Sequence, residues 1–363
     1  MVVPFFSSAR CFALAAVTVV LSVGPIGSVG GAANAEDVLR FSPDSSVESA
    51  KHVVLIAGDE EYRSEETMPM LAKILSQRHG FRCTVLFSFG PGGADYIDPN
   101  NQEGLRGLGN LADADLLILG TRFRRPDEDG AARITDYLNA GKPVIGIRTS
   151  THAFRGEGRF GTIAYSDFGR FILGETWVSH HGRHKVQGAR AVATAAHQNH
   201  PILRGVGEIF CPSDVYEVSH LTDEDQILMR ASVTESLDPT SRNLVGPLND
   251  SPQAFAWLHR YRSPDGETGG TSFCTTGGAS VDFVDEDLRR LVVNACYFLT
   301  DREVPRDADV ALVDPFHPTF YGFIREPGYY VDLGRRPADF GLGKSPRAED
   351  PPGSPLWPYR EAE

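Results

Sequence analysis

Four short, almost wholly apolar runs punctuate the first half of this chain: His52–Ala57, Arg82–Phe89, Leu116–Gly120 and Pro143–Ile147. Apolar runs of this length without polar alternation predict strands buried on both faces. Between them lie stretches with helical period. Thr67–His79 puts Met70, Leu71, Ile74 and Leu75 on one face and stops at Gly80, and Asp129–Ala140 stops at Gly141. Strands that alternate with helices at this spacing must run parallel, each helix carrying the chain back across the sheet. The expected class is α/β, a doubly wound and mostly parallel sheet. Such sheets take ligands outside the carboxyl ends of their strands, so the segments after Ala57, Gly120 and Ile147 are the places to look for chemistry.

Further on, Phe160–Leu173 suggests a helix, and Val186–Ala195, Tyr216–Val218, Gln226–Met229, Gln253–Leu258 and Gly270–Thr275 suggest shorter strands. Asp285–Thr300 predicts a last helix with Leu288, Leu291, Val292, Ala295 and Phe298 on its apolar stripe. Residues 301–363 then hold ten of the 24 prolines together with many aromatics, and show neither period. Proline stops regular ladders while aromatic rings still seek burial. This predicts an extended arm wrapped over the domain, with a disordered tip; peptide recognition is the alternative role for it.

The first residues read as an export signal. Arg10 precedes an apolar run, Cys11–Val23, then Gly24-Pro25, and Ala33-Asn34-Ala35 has the form of a cleavage site. The run is too short to cross a bilayer. The expected division is a signal peptide over 1–35, a polar linker over 36–50, one domain over 51–300 and the arm. The mature protein would be periplasmic or secreted, with no membrane insertion after cleavage. The full chain's 35 basic against 48 acidic side chains, a formal charge of −13, argue against a general nucleic-acid binder. Cys83, Cys274 and Cys296 sit in apolar runs, so buried thiols are favoured over disulfides for them and for Cys211.

Three constellations could carry chemistry. After the first strand comes Gly58-Asp-Glu-Glu-Tyr-Arg-Ser-Glu-Glu66. Glu61 is a candidate general acid or base, and Glu60, Tyr62 and Arg63 are candidate substrate contacts; the alternative is ordinary dipole and capping chemistry before a helix. After the fourth strand comes Gly146-Ile-Arg-Thr-Ser-Thr-His152. The strand-to-helix turn resembles a nucleophile elbow, with Arg148 at the projecting place, where it could bind oxygen but not attack. Thr149 offers a hydroxyl to a substrate and His152 a proton-exchanging imidazole. The third is Glu175-Thr-Trp-Val-Ser-His-His-Gly-Arg-His184. His180 and His181 are candidate catalytic groups, and Trp177 suits stacking on a sugar face. His180 and His184 could ligate a metal if that segment were helical, which Gly182 opposes. Asp214, Tyr216 and Phe273–Ala279 are weaker points.

Assembled, these segments resemble the ThuA-like (trehalose-utilisation) family of the class I glutamine amidotransferase-like fold. The resemblance spans about residues 51–300. It rests on Gly58-Asp-Glu-Glu-Tyr-Arg63, Lys142-Pro-Val-Ile-Gly-Ile147, Leu173-Gly-Glu-Thr-Trp-Val-Ser-His-His181, His200-Pro-Ile-Leu203 and Thr275-Thr-Gly-Gly-Ala279. It implies a flavodoxin-like sheet and a part in disaccharide or keto-sugar breakdown. In true amidotransferases the elbow residue is cysteine, completed by a histidine–glutamate pair; Arg148 stands there in this chain, so glutamine hydrolysis is not expected. Many relatives carry histidine at that place, and Gly-His where this chain has Gly278-Ala279. The expected function is thus acid–base chemistry on a small sugar at the strand ends. The alternatives are a non-catalytic sugar-binding module and a metal-dependent hydrolase built on His180 and His184. No cofactor is expected beyond a divalent metal in that last case, and the oligomeric state is open.

Overall fold

The structure is a computed structural model that describes residues 1–4, 37–43 and 50–357. The body of the signal segment, its cut after Ala35 and the tip of the arm lie outside the described residues. In chain order the strands are β1 (Val38–Phe41), β2 (His52–Gly58), β3 (Arg82–Phe87), β4 (Leu116–Thr121), β5 (Val144–Ile147), β6 (Arg159–Phe160), β7 (Ile163–Ala164), β8 (His180–His181), β9 (Ala189–Ala193), β10 (Ile209–Cys211), β11 (Val215–Tyr216), β12 (Gln226–Val233), β13 (Gln253–Arg262) and β14 (Gly269–Thr275). The α-helices are α1 (Ser64–His79), α2 (Glu128–Asn139), α3 (Glu286–Leu299) and α4 (Tyr329–Leu333).

Ten strands form one sheet in the order β1-β3-β2-β4-β5-β14-β13-β12-β9-β10. From β3 to β14 the neighbours are parallel, the doubly wound α/β core that the alternation of runs implies. From β14 outward to β10 they are antiparallel. The apolar runs sit in the middle for the expected reason: every residue of β2, β4 and β5 is buried. Side chains alternate between faces. Val53, Leu55 and Ala57 pack with Leu71 and Ile74 of α1 and with α3, while Val54 and Ile56 pack with Ile134 and Leu138 of α2. All four described cysteines are free and buried. No helix among the described residues is long and apolar enough to cross a membrane.

Two expectations are corrected. The polar linker over 36–50 contains β1, which pairs antiparallel with β3 from Val38↔Leu86 to Phe41↔Cys83. Its signal is weak because a four-residue edge strand gives too few residues to show a period. The helix expected over Phe160–Leu173 is instead the β6–β7 hairpin, a 3₁₀ turn at Tyr165–Asp167 and a π-helical turn at Gly169–Leu173. Gly161 at φ +55° makes the hairpin turn. The aromatic spacing that imitated a helix is a cluster: Phe154 lies 4.8 Å from both Phe160 and Phe168, and Phe160 lies 4.6 Å from Tyr165.

The arm does wrap the domain. Lys73 pairs with Asp314 at 2.6 Å, Ile97 donates its amide to Arg335 O at 2.7 Å, and Phe320, Tyr321, Tyr330, Phe340 and Trp357 are buried. The arm begins at the end of α3, where Asp301 adopts φ +56°. Asp301 donates its amide to Phe298 O and Arg302 its amide to Tyr297 O, the pattern that glycine usually closes. Asp301→Gly should therefore stabilise the protein by about 1 kcal/mol. A calorimetric midpoint that fails to rise would contradict this.

Candidate functional site

The turns after β2, β4 and β5 and the β8–β11 ribbon meet around a cavity of about 150 Å³. One acid ties the first and third turns. Asp59 Oδ1 accepts the amides of Glu61 and Tyr62 at 2.7 and 2.9 Å, and Thr149 Oγ1 donates to Asp59 Oδ2. This fixes the first constellation against the second, so Glu61, Tyr62, Arg148, Thr149 and His152 all line the cavity, with Trp177 and His180 from the third.

Arg148 and Asp214 form the base of the site. Arg148 stands at the elbow with φ +50° and is buried, as is Asp214. Its Nη2 donates to Asp214 Oδ1 at 2.5 Å and to Tyr62 Oη at 3.1 Å; its Nη1 donates to Thr276 O at 2.7 Å and to Asp214 O. The tips of the guanidinium are thus committed to the protein, and the expectation that Arg148 holds substrate oxygen gives way to a supporting role. Burial pushes the Asp214 carboxyl upward, but Arg148, the His180 imidazole beside it and a hydrogen bond from His184 overcome it and hold it well below the usual carboxylate range.

Two imidazoles share that carboxylate. His180 Nδ1 and His184 Nδ1 lie 2.7 and 3.1 Å from Asp214 Oδ2, with ring centroids 4.2 Å apart. His184 Nε2 lies 3.6 Å from Glu61 Oε1. Burial alone would lower the His184 pKa; its hydrogen bond to Asp214 and the nearby Glu61 carboxylate outweigh this and raise it. His152 is the opposite case. It lies between the rings of Phe123 and Trp177, at 5.0 and 5.6 Å, and burial, reinforced by Arg122, Arg148 and His180, lowers its pKa to about 3. Proton exchange by His152 near neutral pH therefore does not fit its surroundings. Its buried Nδ1 has no hydrogen-bond partner among the described residues.

Three expected contacts face elsewhere. Glu60 accepts from Arg122 Nη1 at 2.5 Å and Arg124 Nη2 at 2.7 Å. Arg63, at φ +61°, turns its guanidinium to Tyr330 Oη and Gly322 O. His181, next to His180 on a strand where side chains alternate, makes its hydrogen bond to Leu248 O at 2.8 Å. None of these three lines the cavity. Conversely, Arg122, Phe123 and Phe323 line it without having been singled out from the sequence. The first two follow β4, where strand order already pointed. Phe323 comes from the arm.

Among the described residues, the non-glycine positions with positive φ are Arg63, Phe123, Arg148, Lys185 and Asp301. Phe123 and Arg148 line the cavity, and Arg63 and Lys185 adjoin Tyr62 and His184. Strain gathered in this way is characteristic of sites whose geometry the surrounding fold over-determines.

The donor atoms of His180, His184 and Asp214 lie within 4.8 Å of one another. Two imidazoles and a carboxylate are a donor set suited to zinc or a related divalent ion. Asp214 supplies the ligand that the sequence motif lacked, and the ribbon pairing of Tyr216 with His180 brings it in without a helix.

No protein-family model and no curated protein matches the sequence. Solved structures do match. A protein from Parabacteroides merdae described as ThuA-like is 13% identical over 70% of this chain and 92% of its own, with a TM-score of 0.46. One from Bacteroides uniformis, also described as ThuA-like, is 12% identical over 70% of this chain and 94% of its own, at 0.44. The glutaminase domain of Trypanosoma brucei CTPS is 10% identical over 72% of this chain and 98% of its own, at 0.33. Likeness this distant transfers no chemistry, which rests on the residues of this chain.

Proposed function

We propose that this chain, with the motifs of ThuA-like proteins, acts on a small neutral sugar or keto-sugar by acid–base chemistry at the strand ends. The observation that carries this is the Asp214 carboxylate shared by His180 and His184, with Glu61 on the far side of His184. A histidine whose pKa is raised by two carboxyl groups holds a proton to give near neutral pH, and the carboxylate behind it stabilises the charged form. His184 stands just behind the lining, so its proton would reach a ligand through Glu61 or His180, which do line the cavity, and Glu61 is also placed to hold a sugar hydroxyl. His152 and Arg122 present polar atoms to the ligand. The walls Tyr62, Phe123, Trp177 and Phe323 suit the apolar face of a sugar ring. At about 150 Å³ the cavity is below the range of pockets for drug-sized ligands, which favours one ring over a chain.

The clustered donor atoms favour a second reading, a metal-dependent hydrolase. His180, His184 and Asp214 would hold the ion, which would polarise a substrate carbonyl or activate water. Against it, the other oxygen of Asp214 is held by Arg148.

One experiment separates the readings. Purified protein is incubated with monosaccharides, disaccharides and their 3-keto forms, with and without a chelator. Product formation that survives chelation is the expected result. Activity lost on chelation and restored by zinc would replace the proton mechanism with the metal one. Binding without turnover would make the protein a sugar-binding module, and neither binding nor turnover would end the sugar reading.

A further inference from the structure

The C-terminal arm crosses the site at residues 319–324, and its hydrogen bonds there go to Glu61 of the cavity and to Glu66, Arg63 and Asn100 around it. Thr319 is held by Glu66 through its amide and hydroxyl at 2.9 and 2.8 Å. Gly322 donates its amide to Glu61 O at 2.8 Å and accepts from Arg63 Nη2 at 2.5 Å. Asn100 Nδ2 donates to Ile324 O at 2.8 Å. Gly322 lies at φ +150°, a conformation that side-chain-bearing residues avoid. The buried Tyr321 ring stacks on Tyr62 at 5.3 Å and meets the His184 ring at 5.0 Å, while its hydroxyl accepts the Lys185 amide at 3.2 Å.

With its neighbours pinned on both sides, Phe323 has one place to go. It lines the cavity, and the Arg122 guanidinium lies between two rings, 4.4 Å from Phe123 and 4.9 Å from Phe323. A guanidinium against aromatic faces is held by the ring quadrupoles. Arg122 also bonds Glu60, and its Nε lies 3.5 Å from Glu61 Oε2. Phe323 therefore does two things at once: it closes one side of the cavity, and it keeps the cation beside Glu61 in place.

We infer that Phe323 is the specificity-determining residue of this site. It would select a ligand with one flat apolar face and a polar rim, the shape of a pyranose, over acyclic polyols of similar polarity. This rests on reading the cavity as a sugar site.

The test compares wild type with Phe323→Ala and Phe323→Tyr, the last keeping the ring. Binding of glucose and of erythritol is measured by calorimetry, and carbethoxylation of His180 in the free proteins is followed by mass spectrometry. Phe323→Ala should weaken glucose binding about tenfold or more, as expected for losing an aromatic contact. It should leave erythritol binding unchanged and raise the His180 modification rate several-fold. Phe323→Tyr should restore glucose binding and protect His180. If Phe323→Ala leaves both glucose binding and His180 reactivity at wild-type levels, or weakens glucose and erythritol binding equally, the inference is overturned. If wild type binds neither polyol while Phe323→Ala still exposes His180, the wall stands and the sugar reading falls. Phe323 is only half-buried, so the alanine variant should fold, and its melting curve checks this.

Discussion

Asp214→Asn should cost the fold about 3–5 kcal/mol, the usual consequence of leaving one partner of a buried ion pair alone. Arg148 and Asp214 are 2% and 1% exposed, so water cannot solvate the guanidinium that the substitution strands. Its remaining partners are the neutral Thr276 O, residue 214 O and Tyr62 Oη. Against a total stability of 5–15 kcal/mol, the melting temperature should fall by roughly 10 °C. Replacing Arg148 by methionine in the same chain removes the stranded charge, so the double variant should recover part of the loss. Recovery stays incomplete because the Thr276 carbonyl loses its donor. Equal stability of the single and double variants, measured by urea titration, would show that the ion pair is not what holds this turn. The acid limb gives an independent check. The Asp214 pKa is depressed in the folded state, so its contribution is complete above the unfolded value near 3.9 and is withdrawn as pH falls through the folded one. Wild-type stability should therefore decline more steeply in acid than that of Asp214→Asn.

His184→Gln should lower turnover about 10²- to 10⁴-fold on whichever sugar the wild type converts, the range for losing a general acid. The substitution keeps a polar side chain next to Asp214, so the fold should survive it. Around the imidazole stand Asp214 and Glu61, which favour its charged form, Arg148, which opposes it, and His180, Tyr62 and Tyr321, whose rings pack nearby. The net effect raises its pKa above the ordinary 6.5. The stability that this histidine contributes is therefore fully present below 6.5 and is lost as pH rises through the folded pKa. Turnover that needs the proton should fall over the same alkaline interval. In His184→Gln both dependences should flatten. A variant that keeps the wild-type rate and pH profile would remove His184 from the mechanism.

The parallel core was legible because β2, β4 and β5 are buried on both faces and so carry uninterrupted apolar runs. β1 was not, because an edge strand of four residues leaves so short a pattern between polar flanks. At the site, strand order was the useful signal. It led to Glu61, Tyr62, Thr149 and His152, and to the segment that holds Arg122 and Phe123. Residue type alone could not say which members of a cluster face inward. Glu60 and Glu61 are neighbours and both meet Arg122, yet the Asp59-centred turn sends Glu60 on to Arg124 and Glu61 to His184 and the cavity. Asp214 carries only a weak signal, since nothing around a lone acid announces two histidines some 30 residues earlier. Phe323 left no local trace at all; its place is decided by anchors at Glu61, Arg63 and Asn100, all far upstream.

The position of Phe323 near the end of the chain also orders events during synthesis. Chains grow from the amino end and domains tend to fold as they emerge. A nascent polypeptide that has released α3 already contains every strand of the sheet, along with His180, His184 and Asp214. It still lacks the ring that closes the cavity and the glycine amide that ties down Glu61. The histidines are thus exposed from the time the sheet forms until the last part of the chain is laid across them. Whatever the cavity accepts, it can be held properly only once the chain has extended past Phe323.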